Sequence, residues 1–333
     1  MLAWPSFALL RKALPNARIH ALVPTYTQPM AEICPFIDKV IIDPGQDTGL
    51  KGVFKLATTF RRQRYDAAIA LFSTTRVGAA VAAAAIDYRL APATKLAQLF
   101  FNKRELQRRS LSSKPEWRYN CDLIYRFLRD HHIACPPEPE PPYLRFPQED
   151  VVSTRKSFIE RHGIDDTSIL VFIHPGSGGS ANNLTVRQYA ELARSLSSTY
   201  PLTFVVCAGP GEAALAQTLT RLLSEQRLSA HTFHSDSGLV DFARHLSIAH
   251  LFISGSTGPL HIAGALNLKT VGFYPRKRSS TLLRWQTINE DSRRLAFCPP
   301  EGAEETDMSS IDVIAAATLI NHRLLGDPKD NSS

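Results

Sequence analysis

From residue 168 to residue 274 the chain alternates short, wholly apolar runs with segments of helical period, a pattern that fits a parallel sheet wound with helices. Ser168–Ile173 is continuously apolar, as a strand buried on both faces must be. After a glycine-rich loop, Thr185 is placed to cap a helix whose apolar positions Val186, Tyr189, Leu192, Ala193 and Leu196 recur at helical spacing. The same reading gives strands at Leu202–Cys207, Ala230–Phe233, Leu251–Ser254 and Lys269–Tyr274, the last of the series. Helices are expected at Glu212–Leu223, around Leu239–Leu246 and at Gly258–Leu266.

The first half alternates too, with strands expected at Arg18–Val23, Lys39–Ile42 and Tyr65–Leu71. Between the halves, Cys135–Pro142 holds five prolines in eight residues, which neither a helix interior nor a central strand tolerates. The expectation is α/β: a Rossmann-like domain over 1–140, a second over 141–310, and a helix over 311–325 long enough to pack back across the cleft between them. The first domain opens on a helix, Pro5–Leu14, with no strand before it. A doubly wound sheet usually begins with a strand at its centre. Either the order is unusual or the opening strand is missing.

Composition excludes several classes. Hydrophobic residues make up 44% and charged residues 21% of 333, an ordinary globular balance. The longest small-apolar run, Val77–Ile86, is too short to span a bilayer, and the N-terminus does not read as a signal peptide. Five widely spaced cysteines suggest neither a disulfide framework nor a zinc site, and fit a reducing cytoplasm. The net charge of +7 is unevenly spread: residues 1–135 hold 20 Lys/Arg against 10 Asp/Glu, while the remainder is slightly acidic. The first half is thus either an ordinary solvated basic surface or the face that meets an anionic partner, such as a phosphorylated lipid or sugar, a membrane surface or nucleic acid. No nucleic-acid recognition motif accompanies the charge, so nucleic acid is not expected as a partner.

Two loops follow expected strands at the sheet edge where open α/β folds bind ligands. In Gly176-Ser177-Gly178-Gly179-Ser180, glycines allow close backbone approach to phosphate and serines add donors. In Ser254–His261, the free N–H groups and dipole of the following helix favour an anion, with Ser256, Thr257, Gly258 and His261 at hand. Plain N-capping for Ser256 and Thr257, and packing for His261, stay open beside this. Neither loop has the Gly-Lys-Ser/Thr of a Walker motif, which argues against an ATPase. Glu212, after Ala208-Gly209-Pro210-Gly211, can accept both hydroxyls of a ribose or merely favour a helix dipole.

The His-Pro-Gly-Ser loop at 174–177, the Ala-Gly-Pro-Gly-Glu turn at 208–212 and the Ser-Thr-Gly-Pro-Leu-His segment at 256–261 resemble, in order and spacing, the ADP-heptose:lipopolysaccharide heptosyltransferases of glycosyltransferase family 9. The resemblance implies a GT-B fold, with two Rossmann-like domains facing across a cleft, the first for the acceptor and the second for the nucleotide-sugar. It implies an inverting transfer in which a carboxylate base activates the acceptor hydroxyl and ADP departs, without metal or other cofactor. Carried over by position, Gly176, Ser177, Gly178 and Asn182 belong to the donor loop and Glu212 to the ribose. Ser256, Thr257, Gly258 and His261 belong to the diphosphate and sugar, and 237–239 to the adenine. The implied partners are ADP-heptose or a related nucleotide-sugar, an anionic lipopolysaccharide-core acceptor and the membrane surface, reached peripherally from the cytoplasm.

Three departures stand out. Ser256 occupies a position usually acidic in the family. Asn182 and Asn183 stand where many members carry a lysine or arginine. Arg276 and Lys277, or Arg278 and Arg284, follow the last expected strand and can supply the missing positive charge to the leaving group. The Asp expected as base would lie just before Met1. The sequence therefore leaves two function classes: an active glycosyltransferase, or a GT-B protein that binds a nucleotide-sugar without transferring it. The segment Lys114–Asn120 is either an acceptor contact or an ordinary helix start.

Overall fold

The computed structural model describes residues 1–43, 45, 49–94, 96–177, 182–235 and 237–326. The chain divides into two units, Leu2–Pro139 and Glu140 onward.

In the first unit, helix α1 (Trp4–Ala13) precedes strand β1 (His20–Pro24), α2 (Gln28–Glu32), β2 (Lys39–Asp43), α3 (Gly49–Gln63) and β3 (Ala67–Ile69). Helix α4 (Thr75–Ala83), β4 (Tyr88–Pro92), β5 (Lys103–Glu105) and α5 (Glu116–Asp130) complete it. The strands form two separate parallel sheets, β1–β2 and β3–β4–β5. Leu22 of β1 and Ala68 of β3 nevertheless pack on one shared core, built by Leu56, Ala57 and Phe60 of α3 and Ala80 and Val81 of α4. Among the described residues no strand joins β1 to β3.

The second unit follows with α6 (Gln148–His162), β6 (Ile169–His174), α7 (Val186–Ser197), β7 (Leu202–Ala208), α8 (Ala213–Glu225) and β8 (Ser229–His234). Then come α9 (Leu239–Leu246), β9 (Leu251–Gly255), α10 (Gly258–Ala265), β10 (Lys269–Phe273), β11 (Arg294–Phe297) and α11 (Val313–Ile320), which runs into a π turn over Asn321–Leu325. All six strands are parallel in the order β11-β10-β9-β6-β7-β8. The order reverses between β6 and β9, where His174 lies in register with Ser254. That reversal point is where an open α/β sheet leaves a crevice for ligands.

The local reasons are visible. Thr185 caps α7 in a full capping box with Gln188, and Tyr189, Leu192, Ala193 and Leu196 are buried on its inner face. Burial of each such leucine contributes about 1.5–3 kcal/mol. The strand expected at Lys269–Tyr274 is not the last: β11 pairs with β10 beyond it. With only four residues and an arginine at its head, β11 carries no apolar run to announce it. The C-terminal helix is capped by Asp312, and Val313, Ala316, Ala317 and Ile320 lie in the core of the second unit together with residues of α7. The proline-rich stretch ends where the amides of Tyr143 and Leu144 both donate to the Ala265 carbonyl at the end of α10.

Candidate functional site

The second unit carries the site residues on the carboxyl ends of adjacent strands. At β7, Gly209-Pro210-Gly211-Glu212 closes a β-turn through Glu212 N–H to the Gly209 carbonyl at 3.0 Å, with Gly211 at φ +79°. This turn sets Glu212 at the start of α8 without its side chain capping the helix. The carboxylate folds back instead. Its Oε2 accepts from the Gly209 amide at 3.0 Å and lies 3.5 Å from His174 Nε2. It also lies over Gly176, where an added Cβ would come within 2.1 Å of it. Gly176 is needed because the carboxylate occupies that space. Burial holds the His174 pKa down, against the pull of Glu212.

Asn183 holds the first loop in place and lies against Gly255 of the second. Its Nδ2 donates to the carbonyls of Pro175 (2.8 Å) and Gly176 (3.1 Å), and its Oδ1 accepts from Leu184 N–H (2.9 Å) and the Tyr189 hydroxyl (2.6 Å). An added Cβ on Gly255 would meet that same Oδ1 at 2.6 Å. Tyr189 is fully buried, and burial raises its pKa, so its hydroxyl stays protonated and donates. Asn182 donates elsewhere, to the Thr306 carbonyl at 3.2 Å. Ser177 ends the described part of the first loop, and Gly178 lies outside the described residues.

In the second loop, Ser254 is buried and its Oγ bonds both the Gly255 carbonyl and Thr257 Oγ1, at 2.7 and 2.8 Å. Thr257 thus stands at the N-cap position of α10 while its hydroxyl is engaged with Ser254, and no side chain caps that helix. Simple capping is not what Thr257 does. The Ser256 amide donates to the Phe273 carbonyl, which leaves its side chain, partly exposed, at the rim. Gly258 is exposed, with nothing within 4 Å of an added Cβ. His261 Nδ1 has no partner among the described residues, and burial pulls its pKa down to about 3, so the ring is neutral.

Past β10, the Arg276 amide donates to the Glu305 carbonyl and its Nη2 to the Ala303 carbonyl at 2.7 Å, with Nε unpartnered among the described residues. Lys277 is exposed. The structure therefore sets out, along one sheet edge, Arg276 and Lys277 beyond β10, Ser256–Gly258 at β9, Gly176 at β6, Glu212 at β7 and residues 237–239 beyond β8. Sequence reasoning missed His174, Asn183 and Tyr189 as organisers. The available signal was a histidine closing an apolar run, which requires a polar partner once buried.

In the first unit, the Lys114–Asn120 segment is committed internally. Lys114 pairs with Asp122, Glu116 with Arg109 and Arg118 with Glu138, while Asn120 Nδ2 donates to the Leu2 carbonyl. It behaves as a helix start. Among the described residues no group of three His, Cys, Asp or Glu is placed to hold a metal ion, and no helix is long and apolar enough to cross a membrane.

A model of glycosyltransferase family 9 (heptosyltransferase) matches residues 53–298. A Haemophilus influenzae protein assigned as a glycosyltransferase, without a stated substrate, is 45% identical over 316 residues, 94% of this chain and 90% of that protein. The chain belongs to glycosyltransferase family 9. It is a glycosyltransferase, and its fold is GT-B, with two parallel-sheet Rossmann-like domains. Heptosyltransferase II of E. coli aligns with a TM-score of 0.76 over 98% of this chain and 95% of its own, at 17% identity. The E. coli heptosyltransferase WaaC, solved with ADP, aligns with a TM-score of 0.69 over 97% and 95%, at 14% identity. At these identities the likeness is one of fold.

Proposed function

We propose that this glycosyltransferase moves a heptose, or a closely related sugar, from an ADP-sugar to the lipopolysaccharide inner core with inversion. The observation that carries the reading is the order of groups along the second sheet's edge. Adjacent strands lie about 4.8 Å apart, so the row from β10 to β8 spans about 19 Å, the scale of an extended nucleotide-sugar. Read along it, backbone at 237–239 meets the base, Glu212 the ribose, and Gly176 and Ser177 with the start of α10 the diphosphate. Ser256, Thr257, Gly258 and His261 lie toward the sugar, and the proposed donor loop also includes Gly178 and Asn182. The relatives named as heptosyltransferases, one of them (WaaC) solved both with ADP and with ADP-2-deoxy-2-fluoro heptose, supply the sugar and nucleotide in this reading.

The chemistry follows from charge. As the glycosidic bond to the diphosphate breaks, negative charge develops on ADP. The uncapped amides and dipole of α10 favour that charge, as do the Ser256 and Thr257 hydroxyls and the Arg276 and Lys277 cations. Neutral His261 can hydrogen-bond the sugar without forming an ion pair with the phosphates. The acceptor, an anionic lipid-linked saccharide, falls to the basic first unit, so the protein works as a peripheral visitor to the cytoplasmic membrane face.

The test is calorimetric titration with ADP, UDP and GDP, followed by turnover of ADP-heptose on purified heptose-deficient core acceptor. Tighter binding of ADP than of the other two, with heptose transfer, supports the reading. Preference for another nucleotide sinks the donor assignment.

A further inference from the structure

His234 closes β8, the edge strand beyond β7, in register with Ala208. The residue is exposed, yet its side chain is not free to swing: Nδ1 lies 3.0 Å from the Ala208 carbonyl. A carbonyl oxygen only accepts, so Nδ1 carries the proton. In the neutral ring that makes Nε2 an acceptor. Among the described residues Nε2 meets no partner. Pinning an exposed side chain costs conformational freedom, and here it gives one imidazole nitrogen a fixed place and a fixed hydrogen-bonding sense.

The place is the carboxyl edge of the second sheet. Ala208 ends β7 and leads into the turn that carries Glu212, so the ring is fastened to the same strand end as that carboxylate. Beyond His234 the chain enters α9, and Ser235 holds that start: its Oγ lies 2.8 Å from both the Gly238 carbonyl and an Asp241 carboxylate oxygen. With Glu212 on the ribose and backbone at 237–239 on the base, the base lies beside His234, one strand spacing (about 4.8 Å) beyond the ribose. Adenine presents an amino donor at its position 6, where guanine presents an oxo acceptor. The lone pair of Nε2 matches the first and opposes the second.

We propose that His234 selects the base of the donor nucleotide, its Nε2 accepting a hydrogen bond from the 6-amino group of adenine. The proposal rests on the reading that Glu212 takes the ribose of an ADP-sugar, and it adds the side chain that tells adenine from 6-oxo purines. A site built around one such bond rejects an analogue that lacks it, because the acceptor is then left facing an apolar or like-natured group.

The experiment is calorimetric titration of the full chain with ADP, inosine 5′-diphosphate and purine riboside 5′-diphosphate, which has no 6-amino group. The parent should bind ADP about tenfold more tightly than either analogue. His234→Phe keeps an aromatic ring without the acceptor; it should melt with the parent and bind all three within about twofold of one another. His234→Gln, whose amide oxygen reaches about as far as Nε2, should keep a preference for ADP of about threefold or more. A parent that does not distinguish ADP from inosine 5′-diphosphate overturns the proposal, as does loss of the preference in His234→Gln. A preference for ADP that survives in His234→Phe overturns the role of His234 and leaves the donor reading standing. The expected base ratios without transfer from ADP-heptose would overturn the proposed sugar and leave the role of His234 standing.

Discussion

The Glu212 carboxylate lies where a side chain on Gly176 would begin: an added Cβ would stand 2.1 Å from it. The neighbouring atoms are the far end of a flexible side chain, so Gly176→Ala need not break the fold; it must expel the carboxylate. The variant should melt within a few degrees of the parent. It should bind ADP about tenfold more weakly, a loss of about 1.4 kcal/mol. Glu212→Gln should show a similar loss, and the double variant little more. Calorimetry on the three proteins checks this, and full additivity would show that Gly176 acts independently of Glu212.

Gly258 gives the opposite dissociation. Nothing lies within 4 Å of an added Cβ there, so the protein itself does not require glycine at the head of α10. Alanine in a helical first turn stabilises by about 0.4–1 kcal/mol by restricting the unfolded chain. Gly258→Ala should therefore keep or raise the melting temperature while weakening ADP binding tenfold or more, because the methyl group stands where phosphate is proposed to approach. Unchanged ADP affinity would move the diphosphate away from α10.

Asn183 and Tyr189 fasten the first loop to α7, with Asn183 packed against Gly255 of the second loop. Removing either leaves buried polar groups unpaired, at about 1–3 kcal/mol. Tyr189→Phe and Asn183→Ala should each destabilise the protein, and the double variant should cost less than the sum by about 1 kcal/mol, measured in urea unfolding. Additive losses would mean that the 2.6 Å contact contributes nothing of its own.

How much of this was legible beforehand depended on the kind of signal. The central strands of the second sheet are apolar on both faces, so β6, β7, β9 and β10 could be read as runs. β4, β5 and β11 could not: Arg89, Lys103, Arg104 and Arg294 break any run, and pairing with a neighbour is what makes these segments strands. At the site, glycines and small hydroxyl residues beside strand ends are local signals, and they marked Gly176, Ser256 and Gly258. Asn183 bonds the first loop and packs against Gly255 of the second across the switch point. Its position could be noted in the sequence, but its partners depend on which strands are neighbours.

Arg276 holds the Ala303 carbonyl with one nitrogen and leaves Nε without a partner among the described residues, while Lys277 is exposed. If both serve the leaving diphosphate, Arg276→Ala/Lys277→Ala should weaken ADP binding about tenfold, with a larger fall in kcat than the same change makes in sugar affinity. The loss should shrink in high salt, where the parent's advantage is screened. Unchanged ADP affinity at low salt would remove both residues from the leaving-group site.

Stability should fall as the solution is acidified from neutrality, and His250 should carry part of that fall. Its Nδ1 accepts the Leu170 amide at 3.0 Å, which only the unprotonated nitrogen can do. Burial, with help from Arg155 and Lys269, lowers its pKa to about 4, whereas an unfolded histidine takes up its proton near 6.5. Between these values the unfolded chain binds the extra proton. The stabilisation is thus complete above about pH 6.5 and is lost as pH falls toward about 4, at up to about 1.4 kcal/mol per pH unit. His261, lowered to about 3, adds a slope of the same sign. Between pH 6.5 and 5, before most carboxylates titrate, urea unfolding of His250→Gln should give a shallower profile than the parent, starting from a lower stability at pH 7.5. Parallel profiles would show that His250 takes no proton on unfolding in that window.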